Sequence, residues 1–273
     1  MMKNGVVVIT GASSGIGKST AEYLSKKGFT VYALARRMDK LEDLIPLGIK
    51  PLFLDVTNET SIKVAIEEIY EAEGRIDVLF NNAGYGLYGP IEDVDLKDAR
   101  DQFEVNLFGL ANMIKHVLPI MRKQGSGKII NTSSIGGKVA SLLGGWYHAS
   151  KFALEGFSDS LRIELKQFGI QVVLIQPGLI KTEFMQRTYD YASKIDTTSP
   201  YQNTIAHVMK SAERDYLTGK VGSNPLVVAK VVYKAIRAKR PKTRYRMGTL
   251  SFIALTARKI LPDKWLDYIL LKR

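Results

Sequence analysis

The feature that most restricts the fold of this chain is a β-branched run that leads directly into a glycine-rich turn and then a helical pattern. Val6–Thr10 is continuously apolar or β-branched, as expected of a strand buried on both faces. Residues 10–17 have the sequence TGASSGIG, and apolar residues recur at helical spacing over residues 15–27. A strand, a tight turn and a helix in this order predict the first half of a βαβ unit.

The rest of the chain repeats this alternation of short apolar runs and longer helical patterns. The further predicted strands are residues 30–35, 51–54, 78–80, 128–131 and 171–176. The further predicted helices are residues 60–72, with Asn58 as candidate N-cap, 99–122, 147–168 and 227–238. Strands that alternate with helices predict an α/β fold, a doubly wound parallel sheet with helices on both faces.

The length and composition are those of a single domain over residues 1–273. With 45% hydrophobic residues, the chain has enough apolar side chains for one large core. It contains no cysteine, which excludes disulfides and thiolate metal sites and is compatible with a cytoplasmic protein. His116, His148 and His207 lack the mutual spacing of metal ligands, so no metal site is predicted. We expect His148 to be structural, because its side chain points about 100° around the helix from that of its neighbour Tyr147.

The net charge of +12 is concentrated at the carboxyl end of the chain. Residues 230–273 contain 13 lysines and arginines against two aspartates, a net charge of +11, which leaves +1 for residues 1–229. The main body of the chain therefore has little electrostatic attraction for nucleic acid, and we predict no nucleic-acid partner.

Two glycine-containing turns follow predicted strands at the edge where a doubly wound sheet opens a crevice. In residues 10–17, glycines allow a tight turn and let a pyrophosphate approach the helix N-terminus, where unpaired N–H groups favour negative charge. In residues 81–84, NNAG, the asparagine side chains offer hydrogen bonds to backbone or cofactor. Both segments also admit a plainer interpretation as structural turns, since Gly and Asn are common in turns.

A tyrosine and a lysine four residues apart are the main candidates for catalysis. Tyr147 and Lys151 share one face of the same predicted helix. A tyrosine phenol has a pKa of about 10 and exchanges protons poorly near neutral pH unless a cation stabilises the phenolate, and Lys151 supplies that charge. Taken alone, such a pair also fits an ordinary helix surface. Ser134 follows the strand predicted at 128–131, and its hydroxyl is suited to polarise a substrate carbonyl while Tyr147 transfers a proton.

Together these motifs resemble the short-chain dehydrogenase/reductase family, in the subfamily with a single Rossmann-type domain. The resemblance covers about residues 5–185. The matching features are TGASSGIG at 10–17, Asp55, NNAG at 81–84, Asn106 in VNLFG, Ser134, Tyr147, Lys151, Pro177 with Gly178, and Thr182. The resemblance implies an oxidoreductase that interconverts an alcohol and a carbonyl.

The resemblance also implies a role for each matching residue. Tyr147 is the general acid and base, Ser134 orients the reacting oxygen, and Lys151 lowers the pKa of Tyr147 and holds the nicotinamide ribose. Asn106 holds a water in the proton relay, which completes the implied catalytic set. The residues implied to bind the cofactor are Gly11, Ser13, Ser14, Gly15, Ile16, Gly17, Arg36, Arg37, Asp55, Val56, Asn82, Ala83, Gly84, Tyr147, Lys151, Pro177, Gly178 and Thr182.

The end of the second predicted strand favours NADP(H) over NAD(H) as the cofactor. NAD sites place a carboxylate there for the ribose 2′-hydroxyl, whereas this sequence has Arg36 followed by Arg37, which suit a 2′-phosphate. Against this preference, Ser14 stands where many NADP-using relatives have a basic residue.

Two segments near the C-terminus depart from the alternating pattern. Residues 183–224 are polar, which predicts a substrate flap over the sheet edge. Residues 239–273 are basic and amphipathic, with Trp265 and Tyr268 among lysines and arginines. One interpretation is a cap packed on the substrate cleft, and the other is peripheral contact with an anionic membrane. The extension is similar to those of hydroxysteroid, retinol and acyl-lipid reductases, so the resemblance implies a lipophilic substrate such as a steroid, retinoid or acyl lipid.

Other classes of function remain open at this point. A sensor or interaction protein that binds NADP(H) without turnover has no need for the four implied catalytic residues together. A reductase of small polar carbonyls retains all four and differs only in its cleft. By analogy with similar proteins, we expect a homo-oligomer formed through the helices predicted at 99–122 and 147–168.

Overall fold

The computed structural model describes residues 5–193, 195, 198–214, 218 and 221–271, and for Met185 and Arg187 only the backbone. The first four residues of the predicted domain, residues 194, 196–197, 215–217 and 219–220 of the predicted flap, and the last two residues of the predicted extension lie outside the described residues. Within the described ranges, no helix combines the length and apolar character needed to span a bilayer.

A seven-stranded parallel sheet forms the centre of the described chain, in the order β3-β2-β1-β4-β5-β6-β7. Its strands are β1 (Val6–Thr10), β2 (Thr30–Ala35), β3 (Lys50–Phe53), β4 (Val78–Asn81), β5 (Gly127–Thr132), β6 (Ile170–Pro177) and β7 (Arg244–Met247). The central strands are rich in aliphatic residues because both faces of the sheet are covered. The predicted doubly wound α/β fold of Rossmann type is confirmed.

Helices cover both faces of this sheet. They are α1 (Gly15–Ser25), α2 (Asp39–Glu42), α3 (Glu59–Glu73), α4 (Leu96–Phe103), α5 (Leu110–Gln124), α6 (Gly145–Glu164), α7 (Phe184–Ala192), α8 (Gln202–Ala212), α9 (Leu226–Arg237), α10 (Ser251–Ile260) and α11 (Asp263–Leu271). Alternate residues of β1 point to opposite faces: Val7 and Ile9 belong to the core with α1 and α9, whereas Val6 and Val8 belong to the core with α3, α5 and α6. The predicted N-cap Asn58 accepts a hydrogen bond from the N–H of Ser61 at the start of α3.

The strand order reverses between β1 and β4, where a crevice opens at the carboxyl ends of the strands. The two glycine-containing turns lie side by side there. The Thr10 hydroxyl at the end of β1 accepts hydrogen bonds from the N–H groups of Asn82 and Ala83 after β4, both at 3.0 Å. The fold thus brings residues 10–17 and 81–84 into one site.

Strand β7 was not predicted, because its four residues lie in the segment assigned to the basic extension. Tyr245 and Met247 are buried, and Arg244 and Arg246 alternate with them. This period of two is that of a strand, even within a basic segment. The extension therefore begins after Met247, and the preceding strand completes the sheet beside β6.

The helix predicted over residues 99–122 is two helices, α4 and α5, joined by a π-helical turn over Glu104–Gly109. Asn106 lies in this turn, and its side chain accepts from the N–H and donates to the C=O of Tyr85, at 3.0 Å each. Gly109 approaches the carbonyl of Val56 closely, since a Cβ there would lie 2.6 Å from that oxygen. The irregular turn therefore fits against two loops that border the crevice.

Candidate active site

The turn between β1 and α1 presents an uncapped helix N-terminus at the crevice. Gly11 and Gly15 have φ angles of 65° and 54°, a region that favours glycine. A Cβ on Gly15 would lie 2.9 Å from the Cγ2 atom of Thr182, so a larger residue would not fit. Ser14 precedes α1 and makes no side-chain capping hydrogen bond. The first N–H groups of α1 therefore have no capping side chain, which suits phosphate oxygens.

Gly17 and Asn82 join the two turns. The Nδ2 atom of Asn82 lies 3.4 Å from the carbonyl oxygen of Thr10 and 3.3 Å from that of Gly11, and it donates to both. A Cβ on Gly17 would lie 2.8 Å from this Nδ2 atom. Gly17 does not line the cavity itself, and its missing side chain lets Asn82 approach.

Arg37 connects the glycine-rich turn with the flap. Its guanidinium donates to the hydroxyls of Ser13 at 3.1 Å and Ser14 at 3.0 Å, and it pairs with Glu183 at 3.1 Å. Both charged side chains are partly exposed. A cation is therefore present at the end of β2, already engaged by a carboxylate from the flap.

Arg36 is exposed and lies near Asp55, which follows β3. Burial works to raise the pKa of Asp55, but hydrogen bonds from Thr57 and the charge of Arg36 outweigh it, so that this pKa lies below its ordinary value. Asp55 is therefore ionised near neutral pH. Asp55 and its neighbour Val56 both line the cavity.

The Tyr147 phenol lies among aromatic rings. The ring centres of Tyr88, His148 and Phe184 are 5.7, 5.6 and 5.5 Å from that of Tyr147, which is only 7% exposed. Burial raises the pKa of Tyr147 to about 12, and its hydrogen bond with Ser134 lowers the pKa by a smaller amount. The net direction is opposite to the lowering by Lys151 that the resemblance implies, because burial dominates.

Lys151 lies one helical turn after Tyr147 on α6. Its Nζ atom is 6.0 Å from the centre of the Tyr147 ring and donates to the carbonyl of Thr132 at 2.9 Å. Burial lowers the pKa of Lys151 to about 8. A Cβ on Gly84 would lie 3.7 Å from this Nζ, so the NNAG turn reaches the same point.

Ser134 follows β5 and lies beside Tyr147. Its Oγ atom accepts a hydrogen bond from the N–H of Gly136 at 3.0 Å and also hydrogen-bonds with the phenol of Tyr147. The N–H of Gly136 uses a lone pair of this oxygen and not its proton, so Ser134 can still donate its hydroxyl proton to an acceptor.

Asn106 does not line the cavity, unlike the other three implied catalytic residues. Its Nδ2 atom donates to the hydroxyl of Ser150 at 3.1 Å, in addition to its bonds with Tyr85. The side chain of Asn106 thus connects α6 with the loop after β4. A Cβ on Gly84 would lie 2.9 Å from its Oδ1 atom, so Asn106 supports the NNAG turn from behind.

One cavity of about 620 Å³ unites the predicted residues. Those that line it are Gly11, Ser13, Ser14, Gly15, Ile16, Arg36, Arg37, Asp55, Val56, Asn82, Ala83, Gly84, Ser134, Tyr147, Lys151, Pro177, Gly178 and Thr182. The structure therefore places every predicted site residue except Gly17 and Asn106 on a single cavity surface.

The flap and the C-terminal helices supply part of the apolar lining of this cavity. Phe184 of α7 and Met209 of α8 contribute from the flap, and Ala257 of α10 and Leu270 of α11 from the extension. Gly178 meets the extension directly, since a Cβ there would lie 3.0 Å from the backbone nitrogen of Ser251. The extension therefore packs on the cleft, as the cap interpretation expects.

A buried glutamate that was not predicted lies beside the catalytic candidates and contacts Ser133, the neighbour of Ser134. Glu155 lies on α6 and is 1% exposed. Its carboxylate accepts from the hydroxyl of Ser133 at 2.7 Å, from Gln176 at 2.9 Å and from Arg244 at 2.8 Å, and Lys138 lies 3.3 Å away. The spacing of four from Lys151 was the available signal, because it places Glu155 on the same helix face.

His148 is held by the loop after Ser134. Its Nε2 atom accepts from the N–H of Ser141 at 3.1 Å, which leaves Nδ1 to donate to the carbonyl of Gly136 at 3.0 Å. Burial lowers the pKa of His148, so the ring is neutral at neutral pH. Both ring nitrogens are engaged by backbone groups, in keeping with the expected structural role.

Comparisons with known proteins show the family of this chain. The model of the short chain dehydrogenase family matches residues 5–192. The 3-ketodihydrosphingosine reductase of Bacteroides thetaiotaomicron is 37% identical over 271 residues, which cover 98% of this chain and 97% of the relative. The NADPH-dependent 3-dehydrocapnine reductase of Ornithobacterium rhinotracheale is 34% identical over 274 residues, with 97% and 95% covered.

A solved structure extends the similarity to three dimensions. A short-chain dehydrogenase from Streptomyces avermitilis is 30% identical and has a TM-score of 0.81, over 95% of this chain and 93% of that chain. The sequence and the fold match the same kind of enzyme. This chain belongs to the short-chain dehydrogenase family of oxidoreductases.

Proposed function

We propose that this protein is an NADP(H)-dependent oxidoreductase that interconverts an alcohol and a ketone or aldehyde. The observation that carries the proposal is the convergence of Tyr147, Ser134 and Lys151 on the cavity that also contains the uncapped end of α1. A proton donor, a carbonyl-polarising hydroxyl and a cation beside a phosphate-binding helix end are the groups that such a reaction needs.

The cofactor in this proposal is NADP(H), which supplies a hydride when bound. The end of α1 would hold the pyrophosphate, Asp55 and Val56 would contact the adenine, and Arg36 and Arg37 would bind the 2′-phosphate. A further group of residues that line the same cavity is assigned to the riboses and the nicotinamide: Asn82, Ala83, Gly84, Pro177, Gly178 and Thr182. The relative from Ornithobacterium is named as NADPH-dependent, which supports the same choice.

Tyr147 acts as the acid in carbonyl reduction. Because burial raises its pKa to about 12, the phenol keeps its proton near neutral pH and gives it to the substrate oxygen as charge develops there. The Ser134 hydroxyl donates a hydrogen bond to the same oxygen. In alcohol oxidation the proton moves back to the phenolate.

Lys151 stabilises the phenolate that proton transfer leaves behind. Its ammonium has three N–H donors, of which Thr132 engages one. The others are assigned to the nicotinamide ribose and to a relay water. Asn106 holds the NNAG turn and is assigned to position this water.

The substrate in this proposal is lipophilic. Leucine, isoleucine, alanine and methionine side chains from α8, α10 and α11 line the cavity that also contains Tyr147. Such a lining favours a hydrocarbon chain or ring over a small polar carbonyl. The similarity to a 3-ketodihydrosphingosine reductase supports a ketone on a lipid-like molecule.

The replacement Tyr147→Phe tests the proposal. It removes the proton donor and keeps the ring, so we expect kcat/KM for a lipophilic ketone with NADPH to fall by about a hundredfold or more. NADPH binding, measured by its fluorescence, should be nearly unchanged. Tyr88→Phe is the matched control, because it removes a neighbouring hydroxyl with no assigned part in proton transfer and should keep most of the activity. Undiminished turnover by the Tyr147 variant would disprove the mechanism.

The cofactor assignment has its own test. We expect a lower KM for NADPH than for NADH with the same ketone, because only the 2′-phosphate meets Arg36 and Arg37. A lower KM for NADH would overturn this assignment and leave the proton chemistry untouched.

We also propose that the protein is a homo-oligomer through α5 and α6. The π-helical turn before α5 packs on α6, and both present exposed aromatic residues, with Phe108 55% and Phe152 44% exposed. Apolar surface of this kind is typical of interfaces between subunits.

A further inference from the structure

The two helices of the extension, α10 and α11, carry a dense group of exposed apolar side chains. We call this group the C-terminal face; it consists of Phe252, Ile253, Ile260, Trp265, Tyr268, Ile269 and Leu271. Seven of the 21 large hydrophobic residues that are exposed in the described chain lie on these two helices. Such clustering marks a surface that contacts something other than water.

The opposite side of the same helices is already used by the protein. Leu255 and Leu266 are 4% and 8% exposed and pack against Val139. The apolar character of the C-terminal face is therefore not required to hold the extension on the domain. A second apolar surface on a short amphipathic helix pair needs a partner of its own.

The C-terminal face is continuous with the cavity. Ile253 and Ile269 both line the cavity and are 70% and 44% exposed, so they form a rim between the cavity and the outside. A hydrophobic molecule that leaves an apolar phase at this face would meet an apolar path toward Tyr147. An ordinary protein-protein contact here would cover that entrance.

Charge and residue type favour a lipid surface as the partner. Arg258 pairs with Asp263, while Lys259 and Lys264 are exposed beside the apolar residues. The two helices hold three cations against two aspartates, and residues 230–250 just before them contain eight lysines and arginines and no acidic residue, so this end of the chain is cationic. An anionic bilayer attracts such a segment, whereas a second copy brings another cationic segment. Trp265 is a residue typical of the membrane interface.

We propose that the C-terminal face docks on anionic lipid membranes and that lipophilic substrate enters the cavity from the bilayer past Ile253 and Ile269. The proposed docking is inferred only from the exposed apolar residues of the C-terminal face and the charged residues around it. The entry half rests on the proposed function, because it needs a lipophilic substrate.

Docking is tested by flotation of the purified full chain with vesicles, without substrate or cofactor. We expect binding to mixed vesicles of phosphatidylcholine and phosphatidylglycerol, weakened by salt, and much weaker binding to phosphatidylcholine alone. Phe252→Ser with Trp265→Ser, neither of which lines the cavity, should lower binding by about tenfold or more. Lys259→Gln with Lys264→Gln should lower binding to the anionic vesicles by about tenfold.

Phe53→Ser is the matched control, because Phe53 is 53% exposed but lies on strand β3 at the far edge of the sheet. It should leave vesicle binding unchanged. Circular dichroism and thermal melting of each variant verify that it is folded. Docking is overturned if the wild-type chain does not bind anionic vesicles, or if the serine variant binds them as well as wild type does. It is also overturned if the chain binds no vesicles and instead self-associates in a way that the serine variant abolishes.

Entry from the bilayer is tested by comparing two ketones. The serine variant should turn over a lipophilic ketone embedded in vesicles several-fold more slowly than wild type, and a water-soluble ketone at the same rate. Equal rates for the embedded ketone would refute entry by this route. Because flotation requires no turnover, a failure of the proposed function would leave the docking result standing.

Discussion

At the scale of single residues, burial shifts the pKa values of the two groups that transfer and stabilise the proton, in opposite directions. It raises the pKa of Tyr147 to about 12 and lowers that of Lys151 to about 8. The phenol therefore stays protonated through the neutral range, while the lysine is the group that titrates near working pH. The ammonium form of Lys151 is the one that stabilises a phenolate.

Carbonyl reduction should accordingly lose rate as the pH rises through about 8, because Lys151 then loses its charge while Tyr147 still holds its proton. We expect a single falling limb in kcat/KM between neutral pH and about one unit above the lysine pKa. Lys151→Arg keeps a charge at all these pH values, so any residual activity should lack this limb. A wild-type profile that is flat to pH 10 would contradict the assignment.

A second prediction at this scale concerns Glu155. Glu155→Gln leaves Arg244 with only the partly exposed Asp159 as its carboxylate partner and faces an amide N–H toward other donors, so the free energy of unfolding should fall by about 1.5–3 kcal/mol. Urea unfolding measures this change. Glu164→Gln, on the exposed side of the same helix, is the control and should change stability little. A loss below about 1 kcal/mol for Glu155→Gln would mean that the carboxylate contributes little, as surface pairs do.

The sequence predicted the chemical residues better than the residues that support them. Tyr147, Ser134 and Lys151 occur in motifs whose spacing is specific. Glu155 occurs in no motif, and a glutamate within a helix usually lies at the surface. Its spacing of four from Lys151 indicated the helix face but not its burial. Its partner Arg244 lies on β7, a strand that the sequence did not reveal, so the ion pair itself became visible only in the structure.

At the scale of secondary-structure elements, the strands and helices with a clear hydrophobic pattern in the sequence were predicted, and those without one were not. Six strands are apolar runs within a parallel sheet and were predicted to within a few residues. Strand β7 is four residues long and half arginine, and its pairing with β6 spans a large sequence separation. The π-helical turn before α5 could not be predicted from the sequence either, because the hydrogen bonds of Asn106 in this turn go to Tyr85 in a distant loop.

The flap helix α7 gives a prediction at this scale, because Glu183 before it holds Arg37. A 2′-phosphate on the cofactor must compete with that carboxylate. Glu183→Gln should therefore tighten binding of adenosine 2′,5′-bisphosphate by about two- to fivefold, the size expected of an exposed ion pair, and leave ADP unchanged. Isothermal titration calorimetry measures both ligands. In an Arg37→Met background the Glu183 replacement should have no effect, and a gain for ADP as well would exclude this competition.

At the scale of the whole molecule, the two groups of exposed apolar residues for which a partner is proposed lie in parts of the chain with different net charge. The C-terminal face lies in the strongly basic part of the chain, whereas the main body carries almost no net charge. Phe108 and Phe152 belong to that nearly neutral body. Association between copies is therefore opposed by charge at the first surface and unopposed at the second.

This difference predicts which replacement changes the assembly. Phe152→Glu would bury an unpaired carboxylate in an interface through α6, so the dimer dissociation constant should rise by about a hundredfold or more. Sedimentation velocity at micromolar concentration should then show a monomer, while wild type is larger. Ile45→Glu alters an equally apolar residue that is 53% exposed but lies near strand β3, and it should leave the assembly intact. A monomeric wild type, or an unchanged assembly in Phe152→Glu, would show that α6 does not form the interface.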